Sequence, residues 1–342
     1  MKTFKKFTAL LSCLVFLIPT LISCQSSAEP SGPEKITVHE NKFVNPAGEE
    51  IILQGVNIRD PHNLEEDGHF TKSHFEEAKN WGANVIRLPI HPRAWRERGE
   101  EEYLKLIDTA VVWARELDVY LILDWHSIGN LYAEKFQNKM YVTTAEETYE
   151  FWDIVSERYA DEPVIAMYEL YNEPTVGGER FGEMSWEQWK EMNLEMISII
   201  RKNSKDAVIL VAGFNWAYDL TPVKDDPIDL PGIAYVSHPY PQKREQPWEE
   251  KWEEDWGFVA EKYPVILTEI GFALPDERGV HVPVFGDEVY GNALVNFTKE
   301  RGISWVAWCF DPQWSPLMFT DWDYTPSRQG AFFKDVMTGE KN

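Results

Sequence analysis

Cysteine is nearly absent from this chain, with three in 342 residues, at positions 13, 24 and 309. Two of them fall in the first 24 residues, so the folded part holds only Cys309 and a disulfide framework is excluded. Its stability has to come from burial, for which a composition 44% apolar is sufficient. Basic residues are also scarce: 33 Lys and Arg face 57 Asp and Glu, a net charge of −24. Such a surface repels polyanions, which excludes nucleic acid as a partner and disfavours uronic-acid polymers. Long apolar runs are missing beyond the N-terminus. The one present, Phe7 to Ile22 with Pro19 near its end, is short of the roughly 20 residues that a spanning helix needs.

Lys2, Lys5 and Lys6 precede that run, so residues 1–23 read as a signal peptide. Its end, Leu21-Ile22-Ser23-Cys24, resembles the bacterial lipobox, in which the cysteine is lipidated and becomes the mature N-terminus. Secretion with a chance cysteine is the alternative. Residues 24–34, rich in Ser, Pro and Gly, form a flexible tether, and residues 35–342 form one folded domain. The expectation is an exported monomer, lipid-anchored to the cell membrane or outer membrane. Loss of the leader takes three lysines and moves the net charge to −27.

From residue 36 onward, short β-branched apolar runs alternate with longer amphipathic stretches, the mark of repeated β–α units and a parallel sheet. Eight runs qualify: 51–57, 83–90, 119–126, 164–173, 207–213, 232–240, 264–271 and 303–310. Eight strands interleaved with helices over this length predict a single (β/α)₈ barrel, a TIM barrel. An open doubly wound sheet is the rival, but no glycine-rich phosphate loop follows the first strand. Thr144 with Glu147 and Ser185 with Gln188 predict capping boxes, and Pro326 a helix start. Ile36–Phe43 and Glu49–Leu53 flank the turn Asn45-Pro46-Ala47-Gly48, predicting a short N-terminal β-hairpin that plugs the barrel floor.

In such a barrel, polar residues at the C-terminal ends of strands line the active site. Here those positions hold Arg87, His126, Asn172, Glu173, His238, Tyr240, Glu269 and Trp308. Each alone has a structural explanation, such as a loop cap, a satisfied core histidine or packing. Together on one rim they are too costly to bury without a ligand. The set, in this order, resembles glycoside hydrolase family 5, the family of cellulases, mannanases and relatives. Asn172-Glu173-Pro174, His238-Pro239-Tyr240 and Thr268-Glu269-Ile270-Gly271-Phe272 carry the resemblance most specifically, and it covers residues 36–338.

The resemblance implies a retaining glycoside hydrolase with Glu173 as acid/base and Glu269 as nucleophile, its carboxyl groups about 5 to 5.5 Å apart. Arg87 near Glu269 would favour its ionised form, and Tyr240 would donate a hydrogen bond to it. Asn172 resembles the asparagine that contacts the sugar's 2-hydroxyl. His126 and His238 would orient hydroxyls and the acid/base, and Trp308 would carry the reacting sugar. Glu169 shares Glu173's inward face deeper in the barrel, and Arg87 is its expected partner. No cofactor and no metal are expected.

Sugar rings present apolar faces, so aromatic platforms are sought among the 15 tryptophans. Trp95, Trp125, Trp216, Trp248, Trp252, Trp256, Trp314 and Trp322 lie where loops surround a cleft. Trp248, Trp252 and Trp256 repeat every four residues, a core pattern, and Trp95, Trp125 and Trp314 are the better platform candidates. The expected substrate is a neutral β-linked polysaccharide or oligosaccharide and the expected activity an endo-β-1,4-glucanase, with a β-mannanase as the nearest alternative. A non-catalytic surface glycan binder would have no use for the glutamate pair. A metal-dependent barrel hydrolase would need a His-x-His on an early strand, where this chain runs Asn57-Ile58-Arg59-Asp60.

Overall fold

A computed structural model describes residues 32–340 together with positions 1 and 3. The expected signal peptide, Cys24 and most of the tether lie outside the described residues.

Each of the eight runs contains one strand of a closed parallel barrel: β1 (Gln54–Asn57), β2 (Val85–Ile90), β3 (Tyr120–Trp125), β4 (Ile165–Glu169), β5 (Val208–Ala212), β6 (Ile233–Val236), β7 (Val265–Ile270) and β8 (Ser304–Ala307). Each pairs with the next, and β8 closes on β1 through Val306 opposite Gly55. Side chains alternate across the wall. Val85, Ile122, Met167, Leu210, Ile266 and Val306 pack inside, whereas Ile86, Leu121, Leu123, Ile209, Leu267 and Trp305 join the core beneath the helices. Packing is closest at Gly55, where a Cβ would sit 1.8 Å from the Val85 carbonyl oxygen.

The N-terminal hairpin forms in a different place from the expected one. Thr37–His39 pairs antiparallel with Lys42–Val44 around Glu40, which takes a left-handed conformation (φ 54°). The Asn45–Gly48 turn also forms, its Asn45 Oδ1 accepting from the Ala47 and Glu49 amides at 3.0 and 2.9 Å. It closes only a single bridge, Val44 to Glu50. Ile36 and Phe43 reach the barrel interior beside Leu53, Tyr120 and Ala166, so the hairpin does plug the floor. Burying two such side chains contributes roughly 1.5–3 kcal/mol each.

Ser185 and Gln188 make both halves of a capping box. Thr144 makes one half, accepting from the Glu147 amide at 3.0 Å, because the Glu147 carboxylate is taken by Arg96 and Thr143. The last helix starts at Arg328 behind Ser327 rather than at Pro326, since the serine hydroxyl supplies the acceptor that the Gly330 amide needs. Trp252 and Trp256 are core, as their spacing suggested, with Trp248 stacked on Trp252. Among the described residues no helix is long and apolar enough to cross a membrane.

Candidate active site

Inward parity places Asn57, Arg87, Asp124, Glu169 and Thr268 above the apolar layers, and all five are fully buried. Three carboxyls and two side-chain amides then crowd one guanidinium. Arg87 donates to Glu169 from Nε (2.6 Å) and Nη2 (3.0 Å), to Asn57 Oδ1 (2.8 Å), to Asn172 Oδ1 (2.7 Å) and to Glu269 Oε1 (3.1 Å), and it pairs with Asp124 at 3.0 Å. Glu169 is therefore held by Arg87, as expected from strand parity. Burial works against the charge of Arg87, but Asp124, Glu169 and Glu269 together raise its pKa.

Glu269 sits on β7 and its second oxygen accepts from the Tyr240 hydroxyl at 2.9 Å. Glu173 is mounted differently: β4 ends at Glu169, and Glu173–Pro174 forms a short strand of a second sheet, parallel to Ile128–Asn130, which itself turns back onto Lys135–Phe136. The Glu173 amide is fixed by the Ser127 carbonyl at 3.0 Å. Its carboxyl meets His238 Nδ1 at 3.0 Å, and His238 Nε2 meets Thr268 Oγ1 at 2.9 Å.

Burial raises the pKa of both glutamates, and the two are not equivalent. Glu269 is pushed up to about 7, with Arg87 and the Tyr240 bond opposing the rise. Glu173 stands well above the ordinary carboxylate range, through burial first and the Glu269 charge second. His238 is held well below the usual histidine range by burial and by the Arg87 charge, so it is neutral.

His126 and Trp308 form one wall of the site, their rings parallel within 5° and 5.4 Å apart. His126 Nδ1 is 2.6 Å from Asp124 Oδ2. Asn172 Nδ2 is buried with no protein partner. These groups open into a cleft of about 720 Å³ lined by His126, Asn172, Glu173, Tyr240, Glu269 and Trp308. Its remaining wall includes Tyr141, Trp216, Lys243 and Trp314, with Val282 and neighbours on a surface loop. Arg87 lies beneath the floor.

Two expected platforms are absent from the cleft. Trp125 falls on the outward parity of β3, stacks on Phe151 (4.1 Å) and donates to Thr148. Trp95, on the helix Pro92–Arg98, packs edge-on against Phe151 and Trp125. Both are core residues. Trp314 does line the cleft. Trp216, given less weight in the sequence, lines it as well, carried by Asn215, Trp216 and Ala217, three successive non-glycine residues with φ of 57°, 55° and 56°. Left-handed backbone costs roughly 1–2 kcal/mol per residue. Here the turn is tied down by the Trp216 Nε1 bond to Gln137 Oε1 (2.9 Å) and the Lys243 bond to the Asn215 carbonyl (2.7 Å). Lys243 and Tyr141 were not foreseen. Lys243 stands 5.0 Å over the Trp216 ring and is pushed down to about 8 by burial, with the Glu173 charge opposing.

Glu173, His238 and Glu269 each offer an atom within 4.8 Å of the other two, a donor set a metal could use. Arg87, 3.1 Å from Glu269, would repel a cation there, and both imidazole nitrogens are already paired. The arrangement fits a proton shared unequally between two carboxyls better than an ion.

Comparison with known proteins gives the family. The model of the cellulase family, glycosyl hydrolase family 5, matches residues 44–313. Endoglucanase A of Butyrivibrio fibrisolvens is 26% identical over 282 residues, 80% of this chain and 59% of that protein. Endoglucanase C of Evansella cellulosilytica is 28% identical over 256 residues, 68% of this chain and 30% of that protein. This chain thus spans less than two thirds of either relative. A β-glucanase of Saccharophagus degradans superposes with a TM-score of 0.89 at 48% identity, over 92% of this chain and 96% of that one, and the same protein has been solved with cellotetraose. The matched span contains every rim residue, from Arg87 to Trp308, and on that ground this chain belongs to glycoside hydrolase family 5.

Proposed function

We propose that the chain is a retaining endo-β-1,4-glucanase in which Glu269 is the nucleophile and Glu173 the acid/base. The observation that carries this reading is the closeness of the two carboxylates, with oxygens within 4.8 Å of each other, where an inverting pair would leave room for water at about 6.5 to 9.5 Å. Their surroundings assign the roles. Glu269 has the guanidinium and the phenol that stabilise a carboxylate, and Glu173 has a neutral imidazole that does not.

Glu173 gives its proton to the glycosidic oxygen, which takes the C1–O electron pair, while a Glu269 oxygen bonds to C1. Water deprotonated by Glu173 then displaces Glu269 and regenerates both groups. Asn172 Nδ2, unpartnered in the protein, is free to meet the 2-hydroxyl, and Trp308 supplies an apolar face for the sugar. The β-1,4-glucan assignment is supported by the endoglucanase names of the relatives and by the cellotetraose bound to the Saccharophagus protein.

The test is to incubate the protein with cellulose derivatives, mixed-linkage glucan, glucomannan and xylan, and to follow the newly formed reducing ends by proton NMR. Release from the glucans with the β-anomer appearing first is expected. An α-anomer first overturns retention, preference for glucomannan makes the enzyme a mannanase, and no release from any polymer overturns both.

We also propose export and membrane anchoring through Cys24, supported by the lipobox-like Leu21-Ile22-Ser23-Cys24. Replacing Cys24 by serine should move the protein from the membrane to the soluble fraction.

A further inference from the structure

We propose that Thr268 and Glu169 fix the tautomer of His238 and thereby keep Glu173 in its acid form, a role that rests on the acid/base reading of Glu173. Neither residue touches the cleft: both are fully buried, and neither is among its lining residues.

One chain of contacts, from Arg87 through Glu169, Thr268 and His238 to Glu173, fixes where each proton lies. Arg87 grips both oxygens of Glu169, at 2.6 and 3.0 Å, so Glu169 is a carboxylate and can only accept. Burial pushes that carboxyl up to about 7, and the Arg87 pairing with the Thr268 bond is what opposes the rise. Thr268 Oγ1 lies 2.8 Å from Glu169 Oε1 and must give it the only proton a hydroxyl has. What remains on Thr268 is a lone pair, 2.9 Å from His238 Nε2, so His238 must donate from Nε2. His238 is fully buried and is faced by the cations Arg87 and Lys243 as well as by His126, so its imidazole is neutral and carries one proton. That proton is now used. Nδ1 therefore presents a lone pair to Glu173 Oε1 at 3.0 Å, and the contact is a hydrogen bond only when Glu173 is protonated. The other carboxylate near Nδ1, Glu269 Oε2, is 3.9 Å away and does not compete.

The same lone pair serves both half-reactions. Before attack it accepts from the acid and aims it. Once Glu173 has passed its proton to the leaving oxygen, its carboxylate faces a lone pair, which makes it a stronger base toward the incoming water.

Three measurements test this. In the wild-type protein, nitrogen-15 NMR of labelled histidine should show His238 protonated on Nε2 and bare on Nδ1, and the reverse tautomer overturns the proposal. Thr268→Val keeps the shape and removes the hydroxyl. Its kcat/KM should fall about tenfold to hundredfold on cellotetraose, a part of what general acid catalysis supplies. It should change less than about threefold on 2,4-dinitrophenyl cellobioside, whose leaving group needs no proton. Thr268→Ser should restore cellotetraose hydrolysis. Equal loss on both substrates, or no restoration by serine, means that Thr268 serves structure alone. Glu173→Gln separates the two layers of the argument: if it lacks the same substrate split, the acid/base reading falls, whereas a split in Glu173→Gln without one in Thr268→Val removes only the relay.

Discussion

Replacing Tyr240 with phenylalanine removes one oxygen from the protein and one hydrogen bond from Glu269. That bond is 2.9 Å long, and both partners are buried. A hydrogen bond to a charged group contributes about 1.5–3 kcal/mol, so its loss should raise the Glu269 pKa by about one to two units at 1.36 kcal/mol per unit. The sign follows from the role. On the proposed reading Glu269 acts as the carboxylate; Tyr240 lowers its pKa, and without that donor a higher pH is needed to ionise it. The acidic limb of kcat/KM should therefore move upward by about one to two units. The basic limb, set by Glu173, should move less, because the Tyr240 hydroxyl gives its single proton to Glu269. At pH 7, where Glu269 with a pKa of about 7 is already half protonated, the variant should be about fivefold to fiftyfold slower. The assay is a pH profile of kcat/KM on an aryl cellobioside, read with the melting temperature. A variant that loses stability while its acidic limb stays in place would show that Tyr240 merely fills space, and the electrostatic account of Glu269 would be wrong.

Other substitutions separate the cleft from its support. Trp216→Ala should raise KM for cello-oligosaccharides about tenfold, about 1.4 kcal/mol of lost stacking, with a smaller fall in melting temperature than a core truncation gives, because the ring is only half-buried and its Gln137 bond is one of two that tie down the turn. Trp125→Ala should do the opposite, costing about 3–5 kcal/mol of stability as a core truncation and leaving KM unchanged while the protein stays folded. Gly55→Ala should yield little folded protein, since the added carbon meets the Val85 backbone rather than a movable side chain; normal expression and circular dichroism would contradict the strand spacing at β1 and β2. Activity should survive prolonged chelation, and a loss reversed by a divalent ion would show that Glu173, His238 and Glu269 hold a metal.

The eight strands were readable because parallel strands are covered on both faces and appear as continuous apolar runs. The same property hid the orientation of individual residues inside them. Trp125 and His126 are neighbours in sequence, yet alternation sends Trp125 to the helices while His126 reaches the cleft. Counting parity back from Glu169 and Arg87 would also have found Asp124, the partner of His126. Trp95 misled because a tryptophan soon after a strand looks like a loop residue, although Pro92 had already begun a helix there. Trp216 depends on a run of left-handed backbone, and Phe214-Asn215-Trp216-Ala217 contains no glycine to announce it. Tyr141 and Lys243 reach the cleft through loop paths set by distant contacts, such as the Lys243 bond to the Asn215 carbonyl.

On the proposed reading, the separate mounting of the two glutamates decides how activity is lost under heat. Glu269 belongs to a barrel strand locked between β6 and β8. Glu173 is carried on a two-residue strand whose partner, Ile128–Asn130, is three residues long, and so small a sheet opens at lower cost than the barrel does. Inactivation should therefore precede unfolding. Between the two temperatures the protein would still be a barrel with an intact nucleophile, able to form the glycosyl intermediate from a substrate with a good leaving group and slow to release it. Thermal tolerance of hydrolysis is then a property of the hairpin at residues 128–136, and reinforcing that hairpin should extend the working range without changing the melting point.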